Sequence, residues 1–394
     1  MIKNGILNLD FRIYFLIPYL FWFLFIFIYS FNSDLIKAGE LDGFVKYGND
    51  SSTYIFYAKQ ITNFDFSNLD ITKLSYIFLI AVVMFLKLNL TTIIILQFLS
   101  TVISSFCLYL MAKKISSKWV GLVCLSFFLA YLPIQLRNFY LLTEILFINF
   151  SIIFTYLVFF NREKKLLITI MGIFILFLRP QAFLILVSIA ITILVFSNYK
   201  KNFSFTFKMF AVLAFFFLLL FFTNIGINYY NIIDSFSKGI IWGYSFETNS
   251  ICFKECISGL TNPNNYEKNI LGLLLYVKDN IFILSKVSIY KIILFFAGWR
   301  PYYSFEHNLF ILFFHVPIYF LFITYFIKLR KLDQLEIFIL LYVLLSAAFI
   351  GITFADWSGR FIMYILPFMM IYASKCFIMF IISFNKKTKL ENIK

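Results

Sequence analysis

Histidine and charge are what this chain has least of. Among 394 residues there are 2 histidines, and Asp, Glu, Lys and Arg together make up 13%. The histidines, His307 and His315, have no third ligand near them in the sequence, which leaves little from which to build a histidine metal centre. So small a charged fraction, beside 62% apolar and 22% aromatic residues and a mean hydropathy of +0.89, excludes a soluble domain of this size. Tandem repeats, low-complexity linkers and a polar stretch long enough to fold in water are also missing, so residues 1–394 read as one domain. Acidic residues are fewer than basic ones, 19 against 34. The resulting charge of +15 is dispersed in small clusters between apolar runs, however, a pattern that reports topology rather than nucleic-acid binding. Of the 5 cysteines, Cys107, Cys124 and Cys376 fall inside apolar runs as packing residues. Cys252 and Cys256 flank Phe-Lys-Glu in a polar loop and suit a small disulfide better than a metal pair.

What the chain does have is membrane-length apolar runs. At about 20 residues per crossing, spans fall near 13–31, 90–111, 119–134, 140–160, 166–179, 181–197, 207–224, 307–327, 335–354 and 361–384. The first is long and aromatic and lacks a small-residue cleavage site, so it reads as a retained span. With ten spans and both termini cytoplasmic, every short inner connection is basic: Lys113, Lys114 and Lys118 are one group, Arg162, Lys164 and Lys165 another, and Lys328, Arg330 and Lys331 a third. The apolar stretches 74–89 and 281–298, interrupted by Lys87 and by Lys286 and Lys291, then read as helices lying in the outer interface. They belong to two long outer segments, about 32–89 and 225–306. The fold class expected is an all-α polytopic membrane protein.

Isolated charges on the outer side call for a reason. Asp50 stands in Gly-Asn-Asp-Ser-Ser-Thr-Tyr, a polar turn that opens a helix whose inner side carries Tyr54, Tyr57 and Ala58, with Ser51, Ser52 and Thr53 available as caps. An aspartate there is either an N-cap or a carboxylate presented to a cavity. Glu144 lies about one turn into a span, where a carboxylate pairs with a cation, and Arg137 is one candidate. Arg137, Arg179, Arg300 and Arg360 all sit at outer helix ends. Arginines so placed either snorkel to lipid headgroups or bind an anion bidentately, and several of them opposite carboxylates suit a lipid phosphate.

In this order and on one membrane side, the residues resemble the glycosyltransferase-C superfamily, near the bacterial relatives of protein O-mannosyltransferases and the lipid A aminoarabinose transferase. The resemblance is carried by Gly48-Asn49-Asp50 with Tyr54 and Ala58, the stretch from Thr72 to Leu88, Thr143-Glu144, Leu178-Arg179-Pro180, and Arg360 to Pro367 with its Arg-x-x-x-Tyr-x-x-x-Pro spacing. It implies an inverting transfer from a polyprenyl-phosphate sugar to a hydroxyl of a cell-surface glycan, lipid or protein, at the plasma membrane and on its non-cytoplasmic side. Asp50 would be the essential carboxylate and Glu144 a second acidic residue. Arg137, Arg179, Arg300, Arg360, Tyr54 and His307 would hold substrate. Many members have paired acids in the first loop, whereas Asn49 and Ser51 flank Asp50, so the divalent metal that some branches use stays open and no other cofactor is implied. Two other readings of the same features are a polymerase or ligase using diphosphate-linked lipids, and a transporter or flippase.

Overall fold

The structure, a computed structural model, describes residues 3–32, 45–48, 50–67, 69–197, 259–262, 265–266, 270–298, 304–329, 331–352 and 360–391. Its regular elements are all helical among these residues. In chain order they are α1 (Lys3–Asn32), α2 (Ser51–Thr62), a 3-10 turn at Ile71–Lys73, α3 (Leu74–Phe85), α4 (Thr91–Ile115), α5 (Lys118–Ala130) and α6 (Leu132–Leu136). A 3-10 turn at Arg137–Phe139 leads to α7 (Thr143–Phe160), α8 (Lys165–Leu176) and α9 (Ala182–Ser197). Then come α10 (Ile270–Asp279), α11 (Ile281–Ala297), α12 (Phe305–Ile327), α13 (Gln334–Ile352) and α14 (Ile362–Glu391).

Six of these helices, α1, α4, α7, α12, α13 and α14, are long and apolar enough to cross a bilayer, and α5 with α6 and the following turn makes a seventh if that bent pair is one span. The chain is therefore built to enter the membrane repeatedly. The sequence places spans at 119–134, 166–179 and 181–197, and there the structure has a bent pair of helices and two shorter apolar helices. Between α5 and α6 the axis bends by 57°. Pro133 has no N–H to give Leu129, and the Gln135 side chain answers the break by donating to the Phe128 carbonyl at 2.8 Å while accepting from Trp22 Nε1 at 2.8 Å. The helices α8 and α9 have 12 and 16 residues, and α8 is about 18 Å long against a hydrocarbon core of about 30 Å. Arg179-Pro180 separates them. The stretch 207–224 lies outside the described residues.

The described chain divides into two compact units. In the first, residues 1–182, 318–330 and 366–394, α7 is central, with 72% of its span buried against 17% for α1. It packs on α4 and α8, and α4 packs on α5. Gly121 lets α5 approach closely: a Cβ there would stand 2.8 Å from the Tyr109 carbonyl oxygen. A polar stripe on α4, Gln97, Ser100, Thr101 and Ser104, sits at helical spacing and is buried. Asn149 of α7 donates to Ser100 Oγ (2.8 Å) and Thr101 Oγ1 (2.9 Å) and accepts from Ser104 Oγ (2.8 Å). Gln97 Nε2 donates to the carbonyls of Asn138 (2.7 Å) and Tyr140 (3.1 Å). With no water in hydrocarbon, such groups must satisfy one another. Here they fix the segment that leads into α7.

In the second unit, residues 183–317 and 331–365, α11 packs along α13. Gly298 ends α11 with φ +65, in the left-handed region that favours glycine. Of the two lysines expected to mark an interfacial face on α11, Lys286 is exposed but Lys291 is buried within the unit. Lys291 shares the buried face of the helix with Leu284, Val287 and Phe295, while Lys286 lies off it.

Candidate functional site

The segment that precedes α2 is tied to the residues preceding α7. Lys46 N–H donates to the Phe139 carbonyl at 2.8 Å and its own carbonyl accepts from Leu141 N–H at 3.0 Å, forming an isolated parallel bridge with Tyr140. Two residues on, Gly48 presses against Leu142, whose δ carbons would lie 3.0 Å from a Cβ at that position. Ser51, expected to cap α2, does something else. Its hydroxyl donates to the Leu141 carbonyl and accepts from Gly48 N–H, both at 2.8 Å, so it holds the strap down. Lys46 completes the attachment by donating to Tyr29 OH at 2.8 Å.

This leaves Asp50 at the mouth of α2 with its carboxylate making no capping bond to the helix backbone. A nearby donor is Tyr54 OH, 3.5 Å from Oδ2. Along α2, Tyr54 and Ala58 are buried and Tyr57 is partly so, as the i, i+4 spacing requires of an inward face. Tyr54 meets Tyr76 of α3 edge-on, with centroids 5.4 Å apart. At its start α3 is joined to the end of α8 by Ser75 N–H donating to the Phe177 carbonyl at 3.0 Å, which brings the Leu-Arg-Pro turn to the same place.

Arg179 comes from that turn and Glu144 from the first turn of α7. Their side chains are 10% and 1% exposed, and Nη1 lies 3.0 Å from Oε1. The same nitrogen donates to Thr143 Oγ1 at 3.1 Å, and Nε donates to Gln181 Oε1 at 3.4 Å. Tyr54 registers the whole group: burial holds its phenol well above the ordinary tyrosine range, the Arg179 charge opposes this, and the Glu144 and Asp50 charges reinforce it. Five residues from three places in the sequence thus converge within one unit: Asp50 and Tyr54, Thr143 and Glu144, and Arg179.

The partner of Glu144 is Arg179, not Arg137, which lies in the 3-10 turn with its guanidinium 6.0 Å over the Tyr140 ring. Arg360 and His307 belong to the second unit: Arg360 is half-buried just before α14, and His307 is exposed in the first turn of α12. Arg300, Cys252 and Cys256 lie outside the described residues. Cys107, Cys124 and Cys376 are free and buried. Among the described residues no three His, Cys, Asp or Glu side chains come together as a metal-binding group. Sequence reasoning missed Lys73, whose ammonium lies 5.3 Å over the Tyr54 ring and 3.4 Å from Asp70. It also missed Thr143 as the residue that orients Arg179. The signal for Thr143 was its place in Thr-Glu at the start of a span.

Chemically, the group offers a partly exposed carboxylate beside a phenol that stays protonated, backed by a guanidinium held rigid by a buried carboxylate. It can accept a proton at Asp50, donate a hydrogen bond at Tyr54 and present fixed positive charge at Arg179. Comparison of the chain with protein-family models, curated proteins and solved structures finds no match.

Proposed function

We propose that the chain is an inverting membrane glycosyltransferase of the glycosyltransferase-C kind, moving a sugar from a polyprenyl phosphate to a hydroxyl acceptor on the non-cytoplasmic side. The observation that carries this reading is the convergence of Asp50, Tyr54, Glu144 and Arg179 beside helices long enough to span a bilayer. In this scheme α8, α9 and the stretch 207–224 complete ten crossings, with α2 and α3 in the outer interface. Asp50 takes the proton from the acceptor hydroxyl as its oxygen attacks the anomeric carbon. The new C–O bond forms as the bond from that carbon to the phosphate oxygen breaks, and the polyprenyl phosphate leaves with the electron pair.

Arg179, locked by Glu144 and Thr143, stabilises charge on the departing phosphate. Arg137, in the same unit, is a further contact for the donor. A donor with its tail in hydrocarbon and its phosphate at the surface matches a site at the rim of the membrane rather than at its centre. The test is Asp50→Asn in the full chain with a labelled polyprenyl-phosphate sugar. Transfer is expected to disappear while donor binding persists; unimpaired transfer ends the assignment of Asp50 as base.

A further inference from the structure

A second polar feature of the first unit lies apart from this site, at the basic ends of α12 and α14. A cleft of about 210 Å³ opens there between the two helices. It is lined by Tyr325 of α12 and Lys328 just past its end, and on α14 by Cys376, Met379, Phe380 and Ser383. The α14 residues recur at i, i+3, i+4 and i+7, so they form one continuous face. The walls are apolar, but Lys328 is one of the lining residues and the Lys375 ammonium lies behind the wall residue Tyr325. Lys328 Nζ lies 4.6 Å over the Phe380 ring. Lys375 Nζ donates to Tyr325 OH at 2.6 Å and lies 4.8 Å over the same ring.

Neither lysine has a carboxylate within 4 Å among the described residues; both are held by aromatic faces and, for Lys375, one neutral hydroxyl. Lys375 sits eight residues before the end of the apolar stretch Ile362–Ser383, where an ammonium is costly unless it reaches a polar layer or an anion. The positive-inside rule puts this end, with Lys328, Arg330, Lys331, Lys386 and Lys387 in sequence, at the cytoplasmic face.

We propose that this cleft binds an anionic glycerophospholipid of the cytoplasmic leaflet. Its phosphate lies between Lys328 and Lys375, and the upper part of an acyl chain runs along Met379 and Phe380. Charge complementarity selects the headgroup and the apolar walls select a lipid over a soluble phosphate. Near an anionic surface each lysine is worth about fivefold in lipid affinity, so the pair contributes about thirtyfold.

The experiment measures the thermal unfolding midpoint of the full chain in nonionic detergent, titrated with phosphatidylglycerol or with phosphatidylcholine of the same acyl chains. Phosphatidylglycerol alone is expected to stabilise the protein. The K328Q/K375Q variant should need about thirtyfold more of it for half-saturation, and K113Q/K114Q, at another basic helix end, should respond like the parent. Ser383→Trp, which fills the cleft and keeps both charges, should lose the response too, and carries the test if the lysine variant does not fold. An unchanged titration in either cleft variant, an equal loss in K113Q/K114Q, or equal stabilisation by glycerol phosphate would overturn the proposal.

Discussion

The pair formed by Glu144 and Arg179 is the part of the site whose energetics follow most directly from geometry. At 3.0 Å and an effective dielectric constant of about 20, the Coulomb attraction is about 5.5 kcal/mol. Desolvating two charges costs several kcal/mol per ion, so the intact pair adds little net stability. Removing one partner is different, because the other charge then stays buried without its counterion at a cost of about 3–5 kcal/mol. Glu144→Gln and Arg179→Gln are each expected to destabilise the protein by that amount. The double variant, which leaves no buried charge at this place, should recover at least about half of the summed loss. Reversible unfolding in mixed micelles, followed by tryptophan fluorescence, measures all four corners of the cycle. Single losses below about 1 kcal/mol, or a double variant equal to the sum, would refute the claim that the two charges are buried against each other.

Two other outcomes follow from the same unit. Asn149→Leu leaves Ser100, Thr101 and Ser104 without their cross-helix partner, and should cost about 1–3 kcal/mol in the same unfolding assay; a neutral result would mean that the α4–α7 network is not a structural tie. Tyr54 gives a pH dependence. Its folded pKa is raised above the ordinary 10.0, so above about pH 10 the unfolded chain releases a proton that the folded chain keeps, and stability falls as pH rises. Tyr54→Phe should make the stability profile measurably flatter above pH 10, and an unchanged slope would show that the phenol is not buried as described.

Much of this was legible in the sequence because hydrophobic runs and isolated charges are local signals. The helix opening at Ser51, its inward Tyr54 and Ala58, and the burial of Glu144 follow from spacing and from the scarcity of carboxylates in apolar runs. Partner choice was not legible. Glu144 and Arg179 are 35 positions apart, and tertiary contacts bring them together: α7 packs on α8, while the bond from Ser75 to the Phe177 carbonyl and the strap from Lys46 to Leu141 carry both to the mouth of α2. Arg137 is nearer along the chain, but it belongs to a 3-10 turn whose direction is set after the 57° bend. The breaks within the apolar runs were not legible either, for a physical reason: hydropathy averaged over twenty residues passes smoothly over Pro133 and Pro180, whereas a helix backbone does not. The Ser51 hydroxyl looked like a cap because serine before a helix usually is one, and a tertiary carbonyl at Leu141 took it instead.

The buried pair also separates two meanings of an essential arginine. If Arg179 only supports the fold, the double variant Glu144→Gln, Arg179→Gln should regain transfer together with stability, since Asp50, Tyr54 and the strap that carries them are untouched. If Arg179 supplies charge to a departing phosphate, stability returns and transfer does not, because a glutamine cannot replace a fixed cation in a water-poor site. A donor of that kind is worth about a hundred- to a thousandfold in rate. Our reading predicts the second outcome, with transfer at least about a hundredfold below the parent in a variant that unfolds nearly as the parent does. Recovery of transfer alongside stability would leave Asp50 as the base and remove Arg179 from the chemistry, so that the phosphate would have to be held by cations elsewhere in the chain.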